Sequence, residues 1–221
     1  MLELLRDLQV RKRDYLKAET GAHFEDQIQN QLLEKYTRIF KRDIDSDNFK
    51  LLKENISKKE DVGFFKFKTY PQRFVKTLFG SQSYPDFIVF SGRFAVPVEI
   101  KYSKKKQNKP VWNSGLPRPN GLYIFGSYEN QDVTFFLGSD VLSVGRRRLI
   151  IQFFEDVKSD EAKFKRVTLK SAPDLERRGF APYIRRAYDQ HQVGEAVMSY
   201  FAHPDRQRVE AHAIEVIASL M

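Results

Sequence analysis

The chain is predicted to fold as an α/β domain, with a central mixed β-sheet flanked by helices and a C-terminal helical segment. Three observations predict it. Phe24, Ile28, Leu32, Tyr36 and Phe40 recur every four residues, the period of a helix with one apolar face. Short apolar runs rich in Phe, Val and Ile then follow one another up to Leu142, as strands do. From Arg146 the pattern turns helical again. Helix, strands, helices in that order place the helices around one sheet. A length of 221 residues suits one domain, 1–221, read as a core over 1–145 and a mainly helical part over 146–221.

Residues 1–17 read as a basic helix. Thr20 is the expected N-cap of the helix that carries the four-residue period through Phe40. Residues 45–62 are polar and charged, which predicts a loop or short exposed helix. "GFFKFKTY" alternates apolar and basic residues, as a half-exposed strand would. "DFIVF" and "AVPVEIK" read as two strands, 86–90 and 95–101, turning at Ser91-Gly92. Pro97 cannot donate to a ladder, so its stretch should lie at an edge or bulge. The segment "YSKKKQNKPVWNSGLPRPNG" is rich in Lys, Asn, Gly and Pro and predicts a long loop. "LYIFGSY" and "VTFFLGSDVL" are the next strands; helices follow from Arg146, over 186–202 and over 205–220, the last capped by Asp205.

Composition narrows the function classes. Lys and Arg number 38 against 29 Asp and Glu, a net charge of +9, which favours a polyanionic partner such as nucleic acid. The absence of cysteine excludes disulfides, thiolate zinc sites and cysteine nucleophiles, and suits a cytoplasmic protein. The N-terminus is too charged for a signal peptide, and no apolar run is long enough to span a bilayer, so no membrane partner is expected. There is no GxxxxGK[ST] loop, hence no expected nucleotide cofactor.

Charged residues inside otherwise apolar strands need a reason. Asp86 heads the first strand of the pair, and Glu99 and Lys101 lie near the end of the second. Side chains alternate along a strand, so Glu99 and Lys101 share a face, and Asp86 can lie opposite them on the neighbouring strand. Two carboxylates so placed offer oxygen ligands to Mg²⁺, and a lysine beside them can orient water or stabilise negative charge on a phosphate. The alternative is that Asp86 caps a turn and Glu99 pairs with Lys101 on a solvated face.

"Pro85-Asp86", twelve intervening residues and "Glu99-Ile100-Lys101" resemble the motif of the PD-(D/E)xK nuclease superfamily, which includes most type II restriction endonucleases and Holliday junction resolvases. The resemblance is specific over about 18 residues, looser over 20–140, and absent from the last 80. It implies a restriction-endonuclease-like core and a magnesium-dependent deoxyribonuclease, with Mn²⁺ able to substitute. Asp86, Glu99 and the main chain of Ile100 would hold the metal, with Asp86, Glu99 and Lys101 catalytic. An early-helix glutamate often joins such sites; Glu25 in "GAHFEDQI" has that place, though it could equally be a solvated first-turn residue. The leading implication is a prokaryotic or phage type II restriction enzyme that cuts double-stranded DNA as a homodimer. A structure-selective nuclease, or an inactive DNA-binding protein of the same fold, are the alternatives.

DNA contacts are expected from the basic loop. Lys104, Lys105, Lys106 and Lys109 follow the motif without an intervening acid, suited to phosphates. Trp112, Asn113, Ser114, Arg118 and Asn120 in "PVWNSGLPRPNG" are the expected base readers, since Arg suits guanine and Asn suits adenine. Arg146, Arg147 and Arg148 open a helix, where its dipole disfavours cations unless a phosphate is near. Arg177, Arg178, Arg185 and Arg186 form a further cluster. The four histidines show no metal-ligand spacing.

Overall fold

A computed structural model describes the chain apart from residues 18, 59–63, 106–107, 113–114, 173–199 and 203. The expected α/β class is observed. Helix α1 (Leu2–Val10) leads through a 3-10 turn (Lys12–Leu16) into α2 (Gly21–Leu33). The strands are β1 (Thr37–Ile39), β2 (Phe65–Lys66), β3 (Arg73–Lys76), β4 (Phe87–Ser91), β5 (Phe94–Ser103), β6 (Leu122–Ser127) and β7 (Asp132–Leu137). Between β1 and β2 lie α3 (Ser46–Leu52) and a π-helical turn (Lys53–Lys58); after β7 come α4 (Gly138–Val141), α5 (Val144–Ser171) and α6 (Arg206–Ser219). The sheet runs β1-β3-β4-β5-β6-β7, with β2 also on β5; β1·β3 and β5·β6 are parallel and the remaining pairs antiparallel.

Both faces of this sheet are covered, which is why its central strands read as continuous apolar runs. One face carries Phe74, Phe87, Val89, Val96, Val98 and Ile124, packed under α1, α2 and α6 through Leu5, Leu8, Phe24, Ile28, Leu32 and Ile217. The other carries Ile88, Phe90, Ala95, Tyr123, Phe125 and Phe136, packed against Leu52, Ile56, Trp112 and Tyr84.

Helix α2 starts as expected, with the Thr20 hydroxyl accepting from the His23 N–H at 3.1 Å. It sits close to the sheet because Gly126 lacks a side chain; a Cβ there would lie 2.8 Å from the Phe24 ring. The helix stops at Leu33, short of the sequence expectation. Tyr36 is still buried, its hydroxyl accepting from the Met1 amine at 2.8 Å, but Phe40 lies beyond β1 and is 48% exposed.

Other boundaries also differ. The expected basic N-terminal helix ends at Val10. The stretch expected to be loop or exposed helix contains α3, capped by Asp45 and anchored by buried Leu52. β1 and β3 were not foreseen, and only Phe65-Lys66 of "GFFKFKTY" is strand. The β4–β5 turn is Gly92-Arg93 rather than Ser91-Gly92, with Gly92 at φ +58°. "GSDV" is α4, not strand, because Asp140 accepts from the Leu137 N–H and turns the chain. α5 begins two residues earlier than expected, capped by the Ser143 hydroxyl. The helix expected over 186–202 falls largely outside the described residues. Asp205 stands at the N-terminus of α6 without capping it, paired instead with Arg208 at 3.2 Å.

Pro97 is not at the edge of the sheet: it pairs with Ile88 in the middle of it. By alternation along β5, its nitrogen points away from β4. There the β2 ladder has ended at Ala95 and the β6 ladder begins only at Val98, so no donor is missed.

Helix α6 is fastened to the β7 edge by Arg206. Its guanidinium donates to both Asp132 oxygens at 2.6 and 2.9 Å, to Glu210 at 2.9 Å, and to the Val133 and Phe201 carbonyls at 2.7 and 3.0 Å. Lys12 joins Asp132 at 2.9 Å, and Thr134 donates to Glu210 at 2.8 Å. Removing one member of a largely buried network strands the others. Arg206→Ala is therefore expected to lower unfolding stability by about 3–5 kcal/mol, read from urea denaturation. Arg208→Ala, at an exposed pair, should change it by less than about 1 kcal/mol.

Candidate functional site

The β4–β5 register sets Phe87 opposite Val98, and hence Asp86, one residue before the strand, opposite Glu99. β4 starts at Phe87, so the Ile100 N–H on that side lacks a ladder carbonyl. The Asp86 carboxylate takes its place, accepting from Ile100 N at 2.7 Å. The main-chain carbonyl of Asp86 is fixed from the other side by the Thr77 N–H, also at 2.7 Å. Asp86 follows a cis Tyr84-Pro85 bond.

Glu99 and Lys101 share one face of β5, as expected from their spacing. Lys101 Nζ donates to Glu99 Oε1 at 2.9 Å. This pair was one of the two alternatives, but it is not solvated: Glu99 is 6% and Lys101 9% exposed. The remaining oxygen, Glu99 Oε2, is buried with no hydrogen-bond partner. Around the pair stand Tyr123, which pairs with Glu99 across β5–β6, and Trp112, whose ring lies 5.9 Å from Lys101 Nζ.

The acidic groups act on one another. Burial, followed by the Glu99 charge, pushes the Asp86 carboxyl up to about 7; Glu25 adds to this, while the Ile100 N–H and Lys101 oppose it. Glu25 itself, on α2, pairs with Lys76 Nζ at 3.0 Å; Asp26 is 3.6 Å from the same ammonium. Lys76 ends β3, next to the Thr77 N–H that holds Asp86. Lys76 was not singled out in the sequence. Its signal was an inward-facing lysine at the end of "RFVK", readable only once β3 is known.

The expected base readers divide. Trp112 is 4% exposed and packs edge-on against Tyr123 and Phe136, so it belongs to the core and not to a reading surface. Asn120 is 1% exposed, with neither amide atom hydrogen-bonded, and is likewise closed to a base. Arg118 lies over the Tyr84 ring at 4.9 Å and donates to the Ile56 carbonyl at 3.3 Å. Asn113 and Ser114 lie outside the described residues.

Of the expected phosphate contacts, Lys104 and Lys105 are exposed and Lys109 is partly so. Lys104 pairs with Glu19 at 2.6 Å. Lys106 lies outside the described residues, as do Arg177, Arg178, Arg185 and Arg186. Arg147 is 2% exposed and donates to the Pro117 carbonyl at 3.1 Å, tying α5 to the loop, so no phosphate is needed to explain it. Arg146 and Arg148 are exposed. His212 bonds Asp140 at 2.9 Å, which fastens α6 to α4.

The residues present fit a divalent cation in one respect that can be stated from geometry. A buried carboxylate oxygen with no donor, on a residue that the ladder register sets opposite a second carboxylate, is an arrangement a cation would relieve. Among the described residues, no three His, Asp or Glu side chains converge on one point, so the protein would offer two carboxylates and a main-chain carbonyl. Comparison with family models, curated proteins and solved structures gives no match for this chain.

The Asp86 shift has a sign that can be tested in the metal-free protein. Between about pH 4 and 7 the folded state holds a proton that the unfolded state has lost. This contribution therefore falls as pH rises through that window, by at most about 1.4 kcal/mol per pH unit. Chemical denaturation at intervals from pH 4 to 8 in EDTA should show a falling component in the wild type that Asp86→Asn removes. Equal pH slopes in the two proteins would refute it.

Proposed function

We propose that this protein is a divalent-metal-dependent deoxyribonuclease, and most concretely a type II restriction endonuclease that cuts double-stranded DNA as a homodimer. The observation that carries the reading is the facing pair Asp86 and Glu99, with Glu99 Oε2 unpartnered and Lys101 bonded to Oε1. Asp86, Glu99 and the Ile100 carbonyl would hold the ion. Mg²⁺, or Mn²⁺ in its place, supplies charge neutralisation at the scissile phosphate and acidifies water.

The rest of the chemistry belongs to the chain. Asp86 must lose its proton beside the Glu99 charge, which burial and repulsion oppose until a cation is present. Lys101 holds Glu99 in place at rest. Its ammonium stands on the same strand face as that carboxylate, where it would stabilise a phosphate oxygen as negative charge builds up. Hydrolysis adds water across one P–O bond, and the ammonium stabilises the more negative state. Substrate would approach from the Asp86 side, where Asp86, Glu25 and Lys76 are partly exposed, since Trp112 covers the other side of Lys101. The exposed Lys104, Lys105, Arg146 and Arg148 suit contacts to the DNA backbone, which position without specifying sequence.

A structure-selective nuclease is the second reading. The burial of Trp112 and Asn120 favours it, because two of the expected base readers cannot meet a base.

Digestion of a long, fully sequenced, unmethylated DNA separates the readings. Discrete fragments with Mg²⁺ or Mn²⁺, none with EDTA and none from Asp86→Ala, are expected of a restriction enzyme. Cleavage confined to branched substrates would indicate structure selectivity. Lys101→Ala should lower the rate by at least about 100-fold, the scale of losing one charge-stabilising donor. DNA binding with no cleavage of any substrate would reject the nuclease reading.

A further inference from the structure

The side of Asp86 away from Glu99 is acidic. Glu25 and Asp26 lie there on adjacent positions of α2, and the Glu25 charge reaches Asp86. These carboxylates do not converge on one point, but their negative charges favour a cation nearby. Here the chain supplies one. The Lys76 ammonium is 3.0 Å from Glu25 Oε1 and 3.6 Å from Asp26 Oδ1, and 5.8 Å from the centre of the Phe87 ring.

Three features hold it there. Lys76 faces the α2 side of the sheet, like Phe74 two residues before it, so its side chain runs under the helix instead of into solvent. Its backbone is fixed by pairing with Phe87 and by the Thr77–Asp86 hydrogen bond. Its side chain is 22% exposed and that of Glu25 is 25%, so the pair is only partly screened by water.

We propose that Lys76 is a positioning residue of the metal site, a built-in counter-ion that holds Glu25 and so confines divalent-ion binding to the Asp86–Glu99 pair. The inference rests on the proposed metal-dependent reading of that pair. An ammonium bonded to a carboxylate competes directly with a metal for the same oxygen. Glu25 with its lysine is therefore a poor ligand, and Glu25 without it becomes an available one beside Asp86. The consequence is a fixed ion count: one ion per chain with Lys76, and a second one shared by Glu25 and Asp86 without it.

Mn²⁺ binding measures this without reference to cleavage. Isothermal titration of Mn²⁺, with the electron paramagnetic resonance signal of free Mn²⁺ as an independent count, would be made on the wild type, Lys76→Met, Lys76→Arg, and Lys76→Met combined with Glu25→Gln. Methionine keeps the length of the stem while removing the charge. The expected result is one ion per chain in the wild type and in Lys76→Arg, two in Lys76→Met, and one again in the combined variant. One ion of unchanged affinity in Lys76→Met would overturn the role of Lys76 and leave the metal site standing. Two ions in the wild type, one of them lost in Glu25→Gln, would overturn it equally. No Mn²⁺ bound by the folded wild type would remove the metal site itself and this inference with it. Circular dichroism and thermal unfolding establish that each variant is folded before it is counted.

Discussion

The register of the β4–β5 ladder sets the geometry on which the candidate site depends. Phe87 opposite Val98 puts Asp86 opposite Glu99; a slip of one residue would carry Glu99 and Lys101 to the α2 face of the sheet and leave hydrophobic side chains where they stood. Because both faces are buried, apolar patterning alone holds this register weakly. The two-residue turn at Gly92-Arg93 holds it more firmly. Gly92 has φ +58°, and a Cβ there would come within 2.6 Å of the Leu220 carbonyl, so the end of α6 closes directly on the turn. The C-terminal helix thereby packs against the turn that joins the two site strands, although it carries no residue of the site.

Two buried ionic groups in this molecule show how satisfaction separates structure from function. Around Arg206, Asp132 and Glu210 each receive at least two donors, and the Asp132 carboxyl is held below its ordinary range despite burial that opposes this. Such a network is complete and needs nothing from outside. Around Asp86 the balance is reversed. One carboxylate keeps its proton far above the usual range, and the other leaves an oxygen without a partner. A cation would complete the second group and has nothing to add to the first, which is why the facing carboxylates, and not the Arg206 network, are the candidate site.

The fold class and the Asp86–Glu99–Lys101 constellation were legible in the sequence because both rest on short-range periodicity. Alternation alone puts Glu99 and Lys101 on one face, and a hairpin alone brings Asp86 across. What was not legible depends on contacts remote in sequence. β1 and β3 are short and mixed in composition, and are strands because they pair with each other and with β4. Trp112 and Asn120 sit among Gly, Pro and Asn, where loop chemistry suggests exposure; the loop instead folds onto Tyr123 and Phe136, and both residues are buried. Arg147 looked like one of three equivalent arginines until the Pro117 carbonyl distinguished it. Phe40 kept the four-residue period by coincidence, since its helix had ended at Leu33.

The placement of Glu25 follows from the way α2 is seated. The Thr20 cap fixes where the helix begins, and therefore which residues face the sheet. The tip of the Phe24 ring can reach β6 only because Gly126 offers no side chain, and Gly21 approaches the Tyr102 ring in the same way, its Cβ position 3.4 Å away. With Phe24 seated, the next residue along the helix turns toward the end of β3, where Lys76 meets it. A helix standing farther from the sheet would leave Glu25 and Lys76 both in solvent, where their pairing would be worth little. Close helix-to-sheet packing, a hydrophobic matter, thus decides the electrostatics on one side of Asp86, while the Glu99–Lys101 pair decides them on the other.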